Sequence, residues 1–135
     1  MDIYGVSHPI PTEYAKKIYN EGKTVFVGKS FLGKVSKNDK FIIYESWGAK
    51  AYTGWADIEF VAKMKPSEIL AEYKEEMMIN IKDFKEYSKN RKLMNVIKFK
   101  NFERFKNPIK PDKFVALSGK YIYKDEFKKI MSMKD

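Results

Sequence analysis

Asn38 to Met64, NDKFIIYESWGAKAYTGWADIEFVAKM, decides the fold. It reads as two consecutive strands joined by a tight glycine-containing connection. Phe41 to Ser46 is a short β-branched and aromatic run, bounded by Asn38-Asp39 on one side and Gly48 on the other. From Tyr52 the chain alternates. Tyr52, Ala56, Ile58, Phe60, Ala62 and Met64 are assigned to one face, and Trp55, Asp57, Glu59, Val61 and Lys63 to the other. A period of two predicts a half-buried antiparallel strand. Gly54 interrupts it, which fits a bulge, a bend at a barrel corner, or a ligand lying close to the backbone.

Both tryptophans, Trp47 and Trp55, flank this turn, with Tyr44, Glu45, Ser46 and Tyr52 beside them. Such a set either lines a flat aromatic pocket or forms a core cluster of cross-strand aromatic pairs. The residues alone leave both open.

Working outward, 135 residues fit one domain, 1–135, with a substantial core. There is no cysteine, so disulfides, thiolate catalysis and cysteine metal sites are excluded. A single histidine, His8, read as a loop residue before Pro9, argues against zinc. No cofactor and no metal are expected. The opening MDIYGVSHPI is unlike a signal peptide, and no apolar run reaches the length of a membrane span. A cytoplasmic protein without membrane contact is the expectation.

The net charge is +9, unevenly spread. Residues 1–65 hold 10 basic and 7 acidic side chains, whereas residues 89–113 hold 9 basic and 2 acidic. A concentrated basic segment suits a polyanion, or serves as a solvated, solubilising face. Only Arg91 and Arg104 are arginines, so phosphate contacts would be mostly lysine point charges and salt-sensitive.

Asp2 to Ser7 reads as a strand and Thr12 to Asn20 as a helix capped by Thr12 and stopped at Gly22. Thr24 to Val27 reads as a strand buried on both faces. Gly28 to Lys34 has P-loop glycine spacing, but Val35 stands where Ser or Thr should hold magnesium, and no helix pattern follows. Nucleotide hydrolysis is rejected. Ser67 opens an amphipathic helix whose stripe is Ile69, Tyr73, Met77, Ile81 and Phe84, with Asn80 a possible division into two. Met94 to Lys100 is a strand with a basic face, Asn107-Pro108 begins a loop, and Phe114 to Leu117 and Tyr121-Ile122 are strand segments before a helix from Lys124.

The residues VSKNDKFIIYES followed by YTGWADIEFVAKM resemble the PUA-like superfamily, and LSGKYIYKDEFKKI is similar to the closing strand and helix of its EVE and ASCH members. The likeness is nearest to an uncharacterised archaeal family within that group. It implies an α+β fold, a mixed, mostly antiparallel β-pseudobarrel flanked by helices, with a cleft for RNA or a modified base. RNA is favoured over DNA as partner, or a free nucleoside. In that reading Trp47, Tyr52 and Trp55 stack a base, Glu45 and Ser46 bond its edge, Lys29 and Ser30 line the site, and Lys98 and Lys100 hold phosphates. Some ASCH members are amidohydrolases acting on acylated cytidine. Here the alternative enzyme would use Lys23, Thr24 and Glu45, although Phe26 occupies the position of the signature glutamate. A further alternative is a structural or protein-interaction domain.

Overall fold

The computed structural model describes residues 3–28, 39–46, 49–111, 115 and 119–135. Along the chain these form β1 (Ile3–Ile10), α1 (Thr12–Glu21), β2 (Val25–Gly28), β3 (Lys40–Glu45), β4 (Ala51–Met64), α2 (Pro66–Met77), α3 (Ile81–Tyr87), β5 (Met94–Ile109), β6 (Lys120–Tyr123) and α4 (Lys124–Met133). The six strands make one mixed sheet in the order β2-β5-β4-β3-β1-β6. Only β1 and β3 run parallel; the remaining pairings are antiparallel. The expected α+β, mostly antiparallel class is what the chain adopts.

Three apolar clusters assign the helices to the sheet. Phe41 and Ile43 point towards Ala15 and Ile18 of α1, together with Val6, Ile10, Ala56, Ile58, Ile97 and Phe99. Ile42, between them in sequence, points the other way, into a cluster with Tyr52, Trp55, Phe105, Ile122 and Ile130 of α4. Further along that face, Val25, Val27, Met94 and Val96 meet Ile69, Met77 and Phe84 of α2 and α3. Alternation along β2 and β3 thus serves two cores at once, one on each face of the sheet.

Local chemistry sets the helix ends. Gly22 adopts φ 79° and its N–H donates to the Lys17 carbonyl, closing α1 in the left-handed conformation glycine favours. The start differs from expectation: Pro11, not Thr12, is the cap residue, and its carbonyl accepts from Tyr14 and Ala15. In α2, Lys65 rather than Ser67 is the cap, Pro66 sits at the first turn, and the Glu68 carboxylate accepts from the Lys65 N–H at 3.0 Å. Asn80 does divide the following stretch. Its side chain accepts from the Lys82 N–H at 2.8 Å and caps α3.

Three other expectations are corrected. His8 lies inside β1, 8% exposed, with its ring 5.0 Å from that of Phe26, because parallel pairing with Ile43 carries the strand through it. β5 runs through Asn107-Pro108 to Ile109; β2 pairs only with residues 95–98, so Pro108 withholds no N–H from that neighbour. Tyr52 and Trp55, assigned to opposite faces by alternation, share one cluster. Register shifts at Tyr52/Gly54 and Ile43/Tyr44 insert the extra residue that reverses Tyr52. Of Phe114 to Leu117, only Val115 is among the described residues, outside any strand.

Candidate functional site

The polar side chains that the fold buries identify the site, since burying such a group without a partner costs free energy. Six residues qualify among those described: Ser7, His8, Lys23, Glu45, Thr53 and Ser88. Ser7 and Ser88 are satisfied by main-chain carbonyls, of Ile42 at 2.9 Å and Phe84 at 2.8 Å. His8 sits within β1 with its Nδ1 3.1 Å from the Pro9 carbonyl oxygen, which leaves Lys23, Glu45 and Thr53, at two places.

The first lies where α1 and α2 end. Lys23 is 2% exposed, and its Nζ donates to the Met77 carbonyl at the end of α2. Lys17 Nζ donates to the Met78 carbonyl at 3.0 Å, and both amines lie over the Tyr14 ring, at 5.2 Å for Lys17 and 5.5 Å for Lys23. Met78 takes φ 49°, so the helix closes there, and two lysine side chains meet the carbonyls it leaves. Burial, with the neighbouring Lys17 charge, pulls the Lys23 amine down to about 7. Thr24 ties the same region by its backbone: its N–H donates to the Glu76 main-chain carbonyl at 3.2 Å and its carbonyl accepts from the Phe99 N–H at 2.8 Å.

The second lies at the end of the β3–β4 pair where Glu45 faces Ala51, on the α1 side. Tyr19 of α1 shares a 2.8 Å hydrogen bond with the Thr53 hydroxyl. Gly54 makes this approach possible. A Cβ there would meet the Tyr19 hydroxyl and lie 2.6 Å from the Glu103 carbonyl oxygen. The close visitor to this glycine is therefore a side chain of the same chain. The Glu45 carboxylate reaches Tyr19 electrostatically, and burial together with that charge raises the phenol above its ordinary value. The guanidinium of Arg104 lies 5.1 Å over the Tyr19 ring, and the Phe102 ring, 46% exposed, is 6.2 Å away.

Glu45 is the unusual member. It is 7% exposed, and its carboxylate makes no hydrogen bond or ion pair with the described residues. No fully buried side-chain oxygen or nitrogen among those residues lacks a partner, so the Glu45 oxygens retain contact with solvent. Arg104 is exposed and without an ion-pair partner among the described residues. An acceptor, two hydroxyls and a guanidinium thus converge from β3, β4, α1 and β5.

The residues expected to form the site are distributed as follows. Glu45 is at the second cluster; Ser46 is half-buried beside it, its N–H bonded to the Ile10 carbonyl at 3.2 Å. Lys23 and Thr24 are at the first, and the Lys23 amine shares no hydrogen bond or ion pair with Glu45. Lys29, Ser30 and Trp47 lie outside the described residues. Tyr52 and Trp55 present no open face. Tyr52 is 1% exposed and donates to the Glu126 carboxylate at 2.8 Å. Trp55 stacks on Phe127 at 5.5 Å and donates to Glu103 at 3.0 Å. Both rings are walls of the core beneath α4, filled by neighbours before any base could enter. Lys98 lies 3.7 Å from Glu59, and Lys100 sits opposite Asp57, which also holds Lys40 at 2.7 Å. Arg104, Tyr19, Thr53 and Phe102 were not singled out for a site by sequence reasoning. Gly54 was the available signal: the sequence offered a bulge, a bend or a close-lying ligand there, and the fold places a register shift and the Tyr19 side chain at it.

No helix among the described residues is long and apolar enough to cross a membrane. The fold itself is shared with solved proteins. The ASCH protein of Zymomonas mobilis superposes with TM-score 0.90 over 99% of this chain and 98% of its own, at 17% identity. A hypothetical protein from Leishmania major matches with TM-score 0.58 over 98% and 95%, at 14% identity. The architecture is therefore ASCH-like. In sequence, an uncharacterized protein of Methanocaldococcus jannaschii is 31% identical over 104 residues, 68% of this chain and 96% of that protein. Residues 3–124 match the model of a family described as a domain of unknown function, DUF365. The chain belongs to the DUF365 family, here with an ASCH-like α+β fold.

Proposed function

We propose that this protein is a binding module for single-stranded RNA or a modified base, received where Glu45, Thr53 and Tyr19 lie beside Arg104. The observation that carries the reading is the nearly buried Glu45 carboxylate, which has no hydrogen-bond or ion-pair partner among the described residues, near a hydroxyl pair and a guanidinium that likewise has no ion-pair partner among them. Unstacked bases are read by such groups on their edges, and by aromatic or guanidinium planes on their faces. Phe102 and Arg104 supply those planes in place of Tyr52 and Trp55. The surplus of +7 over residues 89–113, with Arg104, Lys106 and Lys110 exposed, supplies phosphate attraction.

Anisotropy of a labelled ten-nucleotide RNA tests this. The parent should bind with strong salt dependence. Arg104→Ala should weaken binding on the order of 1–3 kcal/mol and reduce the salt slope by about one. Lys98→Ala with Lys100→Ala should weaken all sequences alike and by less, because Glu59 and Asp57 already neutralise part of their charge. Salt-independent binding, or an Arg104→Ala protein indistinguishable from the parent, removes the reading.

A second reading, hydrolysis of an acylated nucleoside through Lys23, is favoured by one observation: its amine is buried and brought to about 7. Against it, that amine is committed to the Met77 carbonyl and has no bond to Glu45. We expect no turnover of N-acylated cytidine. Hydrolysis that vanishes in Lys23→Ala, with the fold retained, would reverse the order of the two readings.

A further inference from the structure

We infer that the Glu45 site reads guanine. The inference rests on the proposed binding function and concerns which base it selects. A carboxylate only accepts hydrogen bonds, through two oxygens side by side. Guanine alone among the common bases offers two adjacent donors on its Watson–Crick edge, N1–H and the N2 amino group. Adenine and cytosine set one amino donor beside a ring nitrogen whose lone pair would face the second carboxylate oxygen. Uracil sets one N–H between two carbonyl oxygens.

The neighbouring hydroxyls extend the match. Tyr19 and Thr53 have two hydroxyl protons between them, and their mutual bond uses one. The other is left to donate, as the O6 acceptor beside N1–H requires. Guanine sets O6 beside N1–H, so a hydroxyl donor next to the carboxylate is what its edge calls for, and the register brings Glu45, opposite Ala51, to the strand end that carries Thr53. Arg104 over Tyr19 and the exposed Phe102 flank this edge-reading set as faces on which the ring stacks. Burial of Glu45 sharpens the choice, because a wrong base leaves a poorly hydrated carboxylate unpaired.

The test uses five-nucleotide uridine oligomers with guanosine, inosine or adenosine at the centre, titrated against the full chain by anisotropy. Inosine keeps N1–H and O6 but lacks the N2 amino group. Guanosine should bind about tenfold tighter than inosine, and inosine tighter than adenosine. In Glu45→Gln, which keeps the shape and removes one acceptor, guanosine and inosine should bind alike. Parent affinities for guanosine and inosine within about twofold overturn the inference, as does a preference that survives in Glu45→Gln. Should Glu45→Gln fail to fold in a thermal melt, the parent series alone decides. Equal binding of all oligomers removes guanine reading and leaves RNA binding standing; no binding of any oligomer removes both.

Discussion

Trp55→Ala should destabilise the protein by about 3–5 kcal/mol, enough to lower its melting temperature by more than roughly 10 °C. The ring is 6% exposed and lies parallel to Phe127 (5.5 Å, 20°) and edge-on to Phe105 (5.3 Å, 84°). Its removal opens a cavity between β4, β5 and α4 into which its neighbours relax only in part. The loss is also polar. The indole N–H bonds Glu103 at 3.0 Å, and Lys134 bonds the other Glu103 oxygen at 2.8 Å, with its amine 5.7 Å over the same indole. These contacts anchor the end of α4, whose Lys134 carbonyl also accepts from the Asn107 N–H at 3.1 Å. Urea unfolding of parent, Trp55→Phe and Trp55→Ala separates the terms. Trp55→Phe retains ring packing and should lose less. A Trp55→Ala protein that keeps the parent's midpoint but no longer binds RNA would return this tryptophan to the ligand site.

The burial of Trp55 beside Tyr52 marks the limit of what the sequence displays. Alternation along residues 52–64 identified β4, and the stripe from Ile69 to Phe84 identified the two helices, because both follow from local periodicity. Gly22 and Asn80 were legible as helix punctuation for the same reason: their conformations are set within a few residues. The face on which an aromatic lies was not legible. One inserted residue near Gly54 reverses a side chain, and the bulge depends on a strand some fifty residues away. The parallel pairing of β1 with β3 was equally hidden, since it arises only when α1 folds back across the sheet. At the candidate site, Glu45 was legible as a polar residue ending an apolar strand. Its companions were not, because Tyr19, Thr53 and Arg104 come from three other elements and meet it only in the folded chain.

Lys23 carries the second large effect, and it appears as a pH dependence. In the unfolded chain its amine holds a proton up to the ordinary 10.5; in the fold, burial brings release to about 7. The Met77 carbonyl and the negative end of α2 favour the ammonium, yet desolvation outweighs them. Between these two values the unfolded state binds more protons, so stability rises with pH through that window. Below about pH 7 both states are protonated and the penalty of burying the charge is fully present. The difference should amount to on the order of 3 kcal/mol between pH 6 and pH 10. Lys23→Met fills a similar volume without a charge, so its stability should lack this rise. It should exceed the parent near pH 6, offset by about 1 kcal/mol for the lost bond to Met77, and forfeit the advantage by pH 10. Urea unfolding of both proteins at pH 6, 8 and 10 measures the difference directly. Parallel pH profiles would mean that Lys23 keeps its charge in the fold, and would remove the neutral amine on which any nucleophilic role depends. A diverging pair of profiles, with no turnover of acylated cytidine, would assign Lys23 to closing the end of α2.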